Sequence, residues 1–481
     1  MNSRKVCARE LTRREVLLRS GWGLGWVALT SLMADRVSSA VEDKPTTTIV
    51  PHFAPKVKNV IFLAQIGAPS QLDLFDYKPE LAKWDGKAVP SSYLKDEKFA
   101  FIEAGKTQLL ASPWKFGRYG QSGTWLSELL PYHRAIVDDL TWVHTLHTQE
   151  INHVPAQMFL QSGSPRMGRP TMGAWVTYGL GTENQNLPGF IVLSSGKAGR
   201  CGGSCWGSGF LPSVYQGVHF RATGKDPIHF LENPPGIDVS LRKATLETLT
   251  ELNQQTLQQY HDPETRTRIN AYEMAFRMQS SVPDLMDLAG ESPSMLKLYG
   301  VNTDEPSFSR NCLLARRLVE KGVRYVQLIH GGWDHHGGQG DQNLLTGLPE
   351  RTRQVDQGAA ALIQDLRERG LLKETLVIFA GEFGRTPMLQ GPRSDRELGR
   401  DHQRTAFTIW LAGGGLKPGH FGQTDDFGLW PVAEKFHVHD LQATILHLLG
   451  LDHKRLTYKY QGRQFRLTDV HGTLMRSILN T

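Results

Sequence analysis

Val323-Arg324-Tyr325-Val326-Gln327-Leu328-Ile329 runs directly into His330-Gly331-Gly332-Trp333-Asp334-His335-His336-Gly337-Gly338. The first seven residues are largely apolar and β-favouring, the signature of a buried strand, and the glycine-rich polar run after them reads as the loop that leaves its carboxyl end. The same pattern repeats around it. Residues 312–321 carry helical periodicity before this strand, and residues 350–369 carry it afterwards. Thr375 to Ala380 and Thr405 to Ala412 read as further strands, and Asp440 to Leu449 as a helix. Upstream, three more apolar runs read as strands: residues 58–64, closed by Gly67-Ala68-Pro69, then residues 140–144 and 189–193. Strands alternating with helices predict an α/β fold, a mainly parallel central sheet with helices on both faces. Residues 241–261 and 263–290 are helical and polar, a helical excursion over that sheet.

In such sheets the chemistry sits in loops at the carboxyl ends of the strands. Three polar loops are candidates. One is the Asp334-His335-His336 loop. The second is Gly381-Glu382-Phe383-Gly384-Arg385-Thr386-Pro387, after Ala380. The third is Gly399-Arg400-Asp401-His402, just before the strand at Thr405. Carboxylates neutralise a divalent cation and imidazoles give it directional nitrogen ligands, so mixed sets of this kind suit Zn, Mn or Fe. A single Asp-His pair is more often a hydrogen-bonded structural pair; three such loops at one sheet edge are harder to explain that way. The expected metal ligands are Asp334, His336, Glu382, Asp401 and His402. Arg385 is a candidate clamp for an anionic substrate, or an ion-pair partner of Glu382 or Asp401. Ser70, after the first strand, is placed like a nucleophile or like a helix N-cap. The second strand runs into His144, His147 and His153, of which at least one is expected to line the site.

The chain has 481 residues, 40% hydrophobic and 21% charged, with a formal net charge of +6. This is globular composition, not that of a disordered chain. Four cysteines exclude a disulfide-framework protein. Cys201 and Cys205 are close enough in sequence for a local disulfide, and Cys312 stands alone in a helical pattern. The basic excess is concentrated at the front: Arg4, Lys5, Arg9, Arg13, Arg14, Arg19 and Arg36 face only Glu10, Glu15 and Asp35 within residues 1–40. Thr12-Arg13-Arg14-Glu15-Val16-Leu17-Leu18 has the form of a twin-arginine export motif. A weakly apolar stretch from Gly21 to Ala34 follows, and Ser38-Ser39-Ala40 offers small residues for cleavage. Residues 1–40 are therefore expected to be a signal peptide, 41–57 a linker, and 58–481 one domain with its helical insertion near 241–290. The export motif makes the twin-arginine translocase an expected partner and the periplasm or exterior the expected location. The apolar stretch is too short for a comfortable membrane span, and no later segment reaches 18 apolar residues, so no stable membrane anchor is expected. No basic face with interleaved aromatics emerges, and nucleic acid is not expected as a partner.

These residues resemble the exported, sulfatase-like family called domain of unknown function 1501, within the alkaline phosphatase-like superfamily. The most specific pieces are Gly67-Ala68-Pro69-Ser70-Gln71-Leu72-Asp73, Asn152-His153-Val154-Pro155-Ala156-Gln157, Trp206-Gly207-Ser208-Gly209-Phe210-Leu211-Pro212 and Trp333-Asp334-His335-His336. The Glu382 loop, Gly399-Arg400-Asp401-His402 and Asp440-Leu441-Gln442-Ala443-Thr444-Ile445-Leu446 complete the set. The resemblance implies an alkaline phosphatase-like fold, one or two divalent metals (Zn, Mn, Ca or Mg), and hydrolysis of sulfate or phosphate esters, on small molecules or polysaccharide. By the same resemblance Asp334, His336, Glu382 and His402 stand at ligand places. The sequence departs from the sulfatase pattern in two ways. Ile66 and Gly67 stand where sulfatases end their first strand with two aspartates. His153 stands at the nucleophile place, and Gln157 at the place of an arginine. His153 is thus a candidate metal ligand, acid/base or nucleophile. The alternative is a non-catalytic relative that binds carbohydrate or a surface.

Overall fold

The computed structural model describes residues 50–94, 97–103, 106–196, 201–221, 227–228, 231–233, 236–302, 305–391, 393–394 and 396–480. The expected signal peptide, Cys7 and the first part of the expected linker lie outside these residues. The rest of that linker is tied down from His52: Lys56 and Val57 donate their backbone N–H groups to Leu448 O at 2.8 and 3.0 Å.

In chain order the strands that position the site are β1 (Asn59–Ile66), β2 (Thr141–His147), β3 (Phe190–Gly196), β4 (Val218–Phe220), β5 (Tyr325–Gly331) and β6 (Thr375–Ala380). Then come β7 (Gly384–Leu389), β8 (Arg400–Gln403), β9 (Phe407–Gly413), β10 (Gly419–Phe421) and β11 (Phe436–His437). The central sheet has the order β10-β2-β9-β6-β1-β5-β3-β4, with β11 also on β2. The pairs β6-β1, β1-β5, β5-β3 and β3-β4 are all parallel.

The longer helices are α1 (His153–Ser162), α2 (Met172–Leu180), α3 (Val239–Tyr260), α4 (Pro263–Met286), α5 (Phe308–Glu320), α6 (Leu344–Glu368) and α7 (Val438–Leu448). They cover both faces of the sheet, as successive side chains of β1 require. Ile61 and Leu63 join one buried cluster with Leu314 and Leu318 of α5 and Leu362 and Leu366 of α6. Val60, Phe62 and Ala64 join another with Trp175 of α2 and Ile445 of α7. A strand buried on both faces reads as a continuous apolar run, as residues 58–64 do. The expected helical excursion is present as α3 and α4, joined by a two-residue turn. α3 buries only Leu246, while Met278, Val282 and Leu285 of α4 enter the core.

The sheet is mainly parallel, as expected, with one strand reversed. β9 is not parallel to its neighbours but antiparallel to both β6 and β2. The cause lies between β6 and β9. β7 leaves the carboxyl edge of the sheet and β8 returns to it, the two pairing antiparallel with Gln403 opposite Gly384. The next strand must therefore enter the sheet at that edge and run back. This is why a loop that precedes a strand still delivers its side chains to the carboxyl edge.

Candidate metal centre

β1, β5 and β6 end flush, with Ala64 opposite Ile329 and Ala380, and Ile66 opposite Gly331. Gly67 follows with φ +107°. A Cβ there would lie 2.8 Å from the backbone nitrogens of Trp333 and Asp334, so only glycine lets the β5 loop cross so close. The close approach brings Asp334 over the end of β1. α1 begins at His153, and β8 carries His402 in register with Arg385 of β7.

Four side chains converge here. His153, Asp334, His336 and His402 each present one ligand atom, all within 4.8 Å of one another. Asp334 Oδ1 is the focus: it lies 2.7 Å from His336 Nε2, 3.0 Å from His153 Nε2 and 3.6 Å from His402 Nε2. His336 Nε2 and His402 Nε2 are themselves 2.9 Å apart.

The outer nitrogen of each ring is tied to an acceptor. His402 Nδ1 is 2.6 Å from Ile151 O, a carbonyl that can only accept. His153 Nδ1 is 2.6 Å from Glu382 Oε1, and His336 Nδ1 is 2.5 Å from Gln390 Oε1. With Nδ1–H donating outward, each neutral ring turns an Nε2 lone pair inward. Two lone pairs facing at 2.9 Å repel unless a proton or a cation lies between them. His153 Nε2 is also buried and, despite its closeness to Asp334, has no partner in line for a hydrogen bond. Metal-bound histidines are held in just this way, by a carboxylate or carbonyl on the outer nitrogen. The donor set, three imidazoles and a carboxylate, fits a divalent cation such as Zn or Mn.

Without a cation, protons carry the charge. Burial opposes protonation of His153, but the neighbouring carboxylates of Asp334 and Glu382 outweigh it and raise its pKa to about 9. Burial pushes His402 down to about 4. Burial would raise Asp334, yet the three histidines and Arg385 hold it far below the usual carboxylate range. Glu382 is likewise lowered despite full burial, through its hydrogen bond with His153.

The other expected site residues take different places. Glu382 stands behind His153, accepting from Gln157 Nε2 and the Gly67 backbone N–H, each at 3.0 Å, and does not join the convergent set. It thus stands against the end of β1, at Gly67. Asp401 turns away: its Oδ2 accepts the backbone N–H groups of Phe101 and Ile102 at 2.8 and 2.9 Å. Arg385 is buried and pairs with neither Glu382 nor Asp401. Its guanidinium donates to Asp334 Oδ1 (2.6 Å), Ala68 O (3.0 Å), Arg400 O (3.1 Å) and Gly67 O. It therefore positions Asp334 and knits the loops together, and is not free to clamp a substrate. Ser70 is buried, with Oγ 2.5 Å from Asp73 Oδ2, and Asp73 in turn pairs with Arg400 at 2.7 Å. Ser70 does not line the cavity over the centre. Of the three N-terminal histidines only His153 reaches the site. His144 contacts His420, and His147 donates to Phe436 O.

A cavity of about 550 Å³ opens above the four ligands. Ile66, Phe101, Val154 and Pro155 form apolar walls, and Asp341 and Gln342 stand at its side. Among the described lining residues there is no Ser, Thr, Cys, Lys or Arg. Next to it, Cys201 and Cys205 are bridged and pack on Met158 and Val154. Sequence reasoning missed Phe101, Gln390 and the Ile151 carbonyl. Nothing local marks them, since each reaches the centre only through tertiary folding.

A half-buried three-histidine, one-carboxylate centre at the carboxyl edge of a mostly parallel α/β sheet is the class that fold and site define. The chain belongs to the family described as protein of unknown function (DUF1501), whose model matches residues 57–479. No curated protein matches it. Similar solved structures include the lipoteichoic acid synthase LtaP from Listeria monocytogenes, at 10% identity over 86% of this chain and 76% of that one, TM-score 0.37. A variant of the alkaline phosphatase from the Antarctic bacterium TAB5, with Mg bound, is 10% identical over 83% and 99%, TM-score 0.34. The PsFucS1 sulfatase from Pseudoalteromonas sp. is 11% identical over 82% and 68%, TM-score 0.33. At these identities and scores the likeness carries no weight for the chemistry. Among the described residues no helix is long and apolar enough to cross a membrane.

Proposed function

We propose that the protein is an exported, metal-dependent hydrolase of sulfate or phosphate esters, with polysaccharide esters among its candidate substrates. The observation that carries this reading is the convergence of three Nε2 atoms on Asp334 Oδ1 with every Nδ1 tied outward. A divalent cation held there would supply Lewis-acid polarisation of an ester oxygen and lower the pKa of a water. His153, Asp334, His336 and His402 would hold it. Glu382 and Ile151 O fix the orientation of His153 and His402, and Arg385 fixes Asp334. No hydroxyl or thiol lines the cavity among the described residues, so water is the nucleophile this reading requires.

The test is turnover of p-nitrophenyl sulfate and p-nitrophenyl phosphate by protein purified from the periplasm. Hydrolysis that stops with chelator, and with Asp334→Ala, supports the proposal. Metal-free protein with no turnover across both esters would sink it. The same missing hydroxyl or thiol favours a second reading, a non-catalytic carbohydrate-binding relative. That reading predicts glycan binding that survives both chelator and His402→Ala. Export by the twin-arginine route is checked by fractionation. Changing Arg13 and Arg14 together to Lys should leave the protein in the cytoplasm, and unchanged export would refute that route.

A further inference from the structure

Phe101 is an aromatic ring left 61% exposed at the wall of a site whose floor is polar. Its centroid is 4.9 Å from that of His336 and 5.4 Å from that of His402, both edge-on. It is held there by design of the backbone: Asp401, adjacent to His402 in β8, takes the N–H groups of Phe101 and Ile102 on one oxygen. A buried carboxylate spent on presenting an exposed phenyl ring makes little sense for stability, because the ring itself buries little. It makes sense if the ring's open face is covered by something else. Ile66, Val154 and Pro155 add apolar wall beside the polar Asn152, Asp341 and Gln342, and no Lys or Arg lines the cavity among the described residues. Binding energy for a substrate must then come from the centre, from apolar contact and from neutral amides such as those of Asn152 and Gln342, not from cationic side chains.

Resting on the metal-centre reading above, we propose that Phe101 is a substrate-contacting specificity residue. The site takes an ester with a single anionic group whose alcohol part is a ring lying against the Phe101 face, rather than a densely charged polymer. Phe101 contacts the alcohol part and not the oxyanion, so it discriminates among esters of one acid.

The experiment is calorimetric binding of p-nitrophenyl sulfate and methyl sulfate to the zinc-loaded protein and to its Phe101→Ala and Phe101→Tyr variants, with zinc content measured for each. The protein should bind p-nitrophenyl sulfate roughly tenfold more tightly than methyl sulfate, the scale of one aromatic contact. Phe101→Ala should abolish that preference while leaving zinc content and methyl sulfate affinity unchanged, and Phe101→Tyr should restore it. If zinc binds but Phe101→Ala keeps the preference, or weakens both esters equally, this proposal is overturned and the metal-centre reading stands. If the protein takes up no zinc, both fall.

Discussion

Glu382 and Gly67 show how single residues set the centre. Glu382 touches His153 Nδ1, Gln157 and the Gly67 N–H, so its charge fixes which nitrogen of His153 faces inward. Glu382→Gln keeps the shape and removes the charge. Loss of such an outer partner typically costs about 10- to 100-fold in metal affinity, and calorimetric metal titration should show a drop of that size. An unchanged affinity would mean that His153 is not a ligand. Because the apo His153 pKa is about 9, a cation must displace a proton from it below that pH. Metal affinity should therefore fall with acidity under pH 9, with about one proton released per ion at pH 7.5, readable from the buffer dependence of the binding heat. Gly67→Ala forces a Cβ into the backbone of Trp333 and Asp334 at a positive φ. It should destabilise the fold by about 2–4 kcal/mol in urea unfolding.

At the scale of elements, the sequence exposed what depends on local periodicity and hid what depends on pairing. β1, β5 and β6 were legible because strands buried on both faces are continuous apolar runs. The antiparallel course of β9 was not, because it follows from the β7–β8 ladder, which forms between segments ten residues apart. Within the site, Asp334, His336 and His402 announced themselves as polar residues in glycine-rich strand-end loops. Asp401 carried the same local signal as His402 yet points the other way, since successive residues of a strand face opposite sides. Phe101 carried no signal at all. The elements also hold histidines that the centre does not use. Burial pushes His144 of β2 down to about 4, so it is neutral in the fold. An unfolded histidine, with pKa near 6.5, takes up a proton that folded His144 refuses between pH 6.5 and 4. Stability is thus full above pH 6.5 and is lost as pH falls toward 4, by up to about 3 kcal/mol from this residue alone. Urea midpoints should decline over that window, and His144→Leu should flatten the decline; an unaltered slope would mean that His144 is protonated in the fold.

For the molecule as a whole, one geometric fact organises the function. Two parallel neighbours of β1, the helix that begins at His153 and the returning hairpin all deliver polar side chains to one edge of the sheet. The charge there is balanced only if something positive joins the three neutral imidazoles, because Asp334 and Glu382 outnumber Arg385. A proton on His153 brings the sum to zero without a cation, whereas a divalent ion with every ring neutral brings it to one positive charge, which a bound hydroxide or a monoanionic ester would cancel. The choice between the two is decided by titrating Zn or Mn into chelator-treated protein in a calorimeter, beside the His402→Ala variant. The account predicts one divalent ion per chain, with binding abolished or weakened at least about a hundredfold in the variant, as expected for loss of a direct ligand. No saturable binding, or binding that His402→Ala leaves intact, would contradict it.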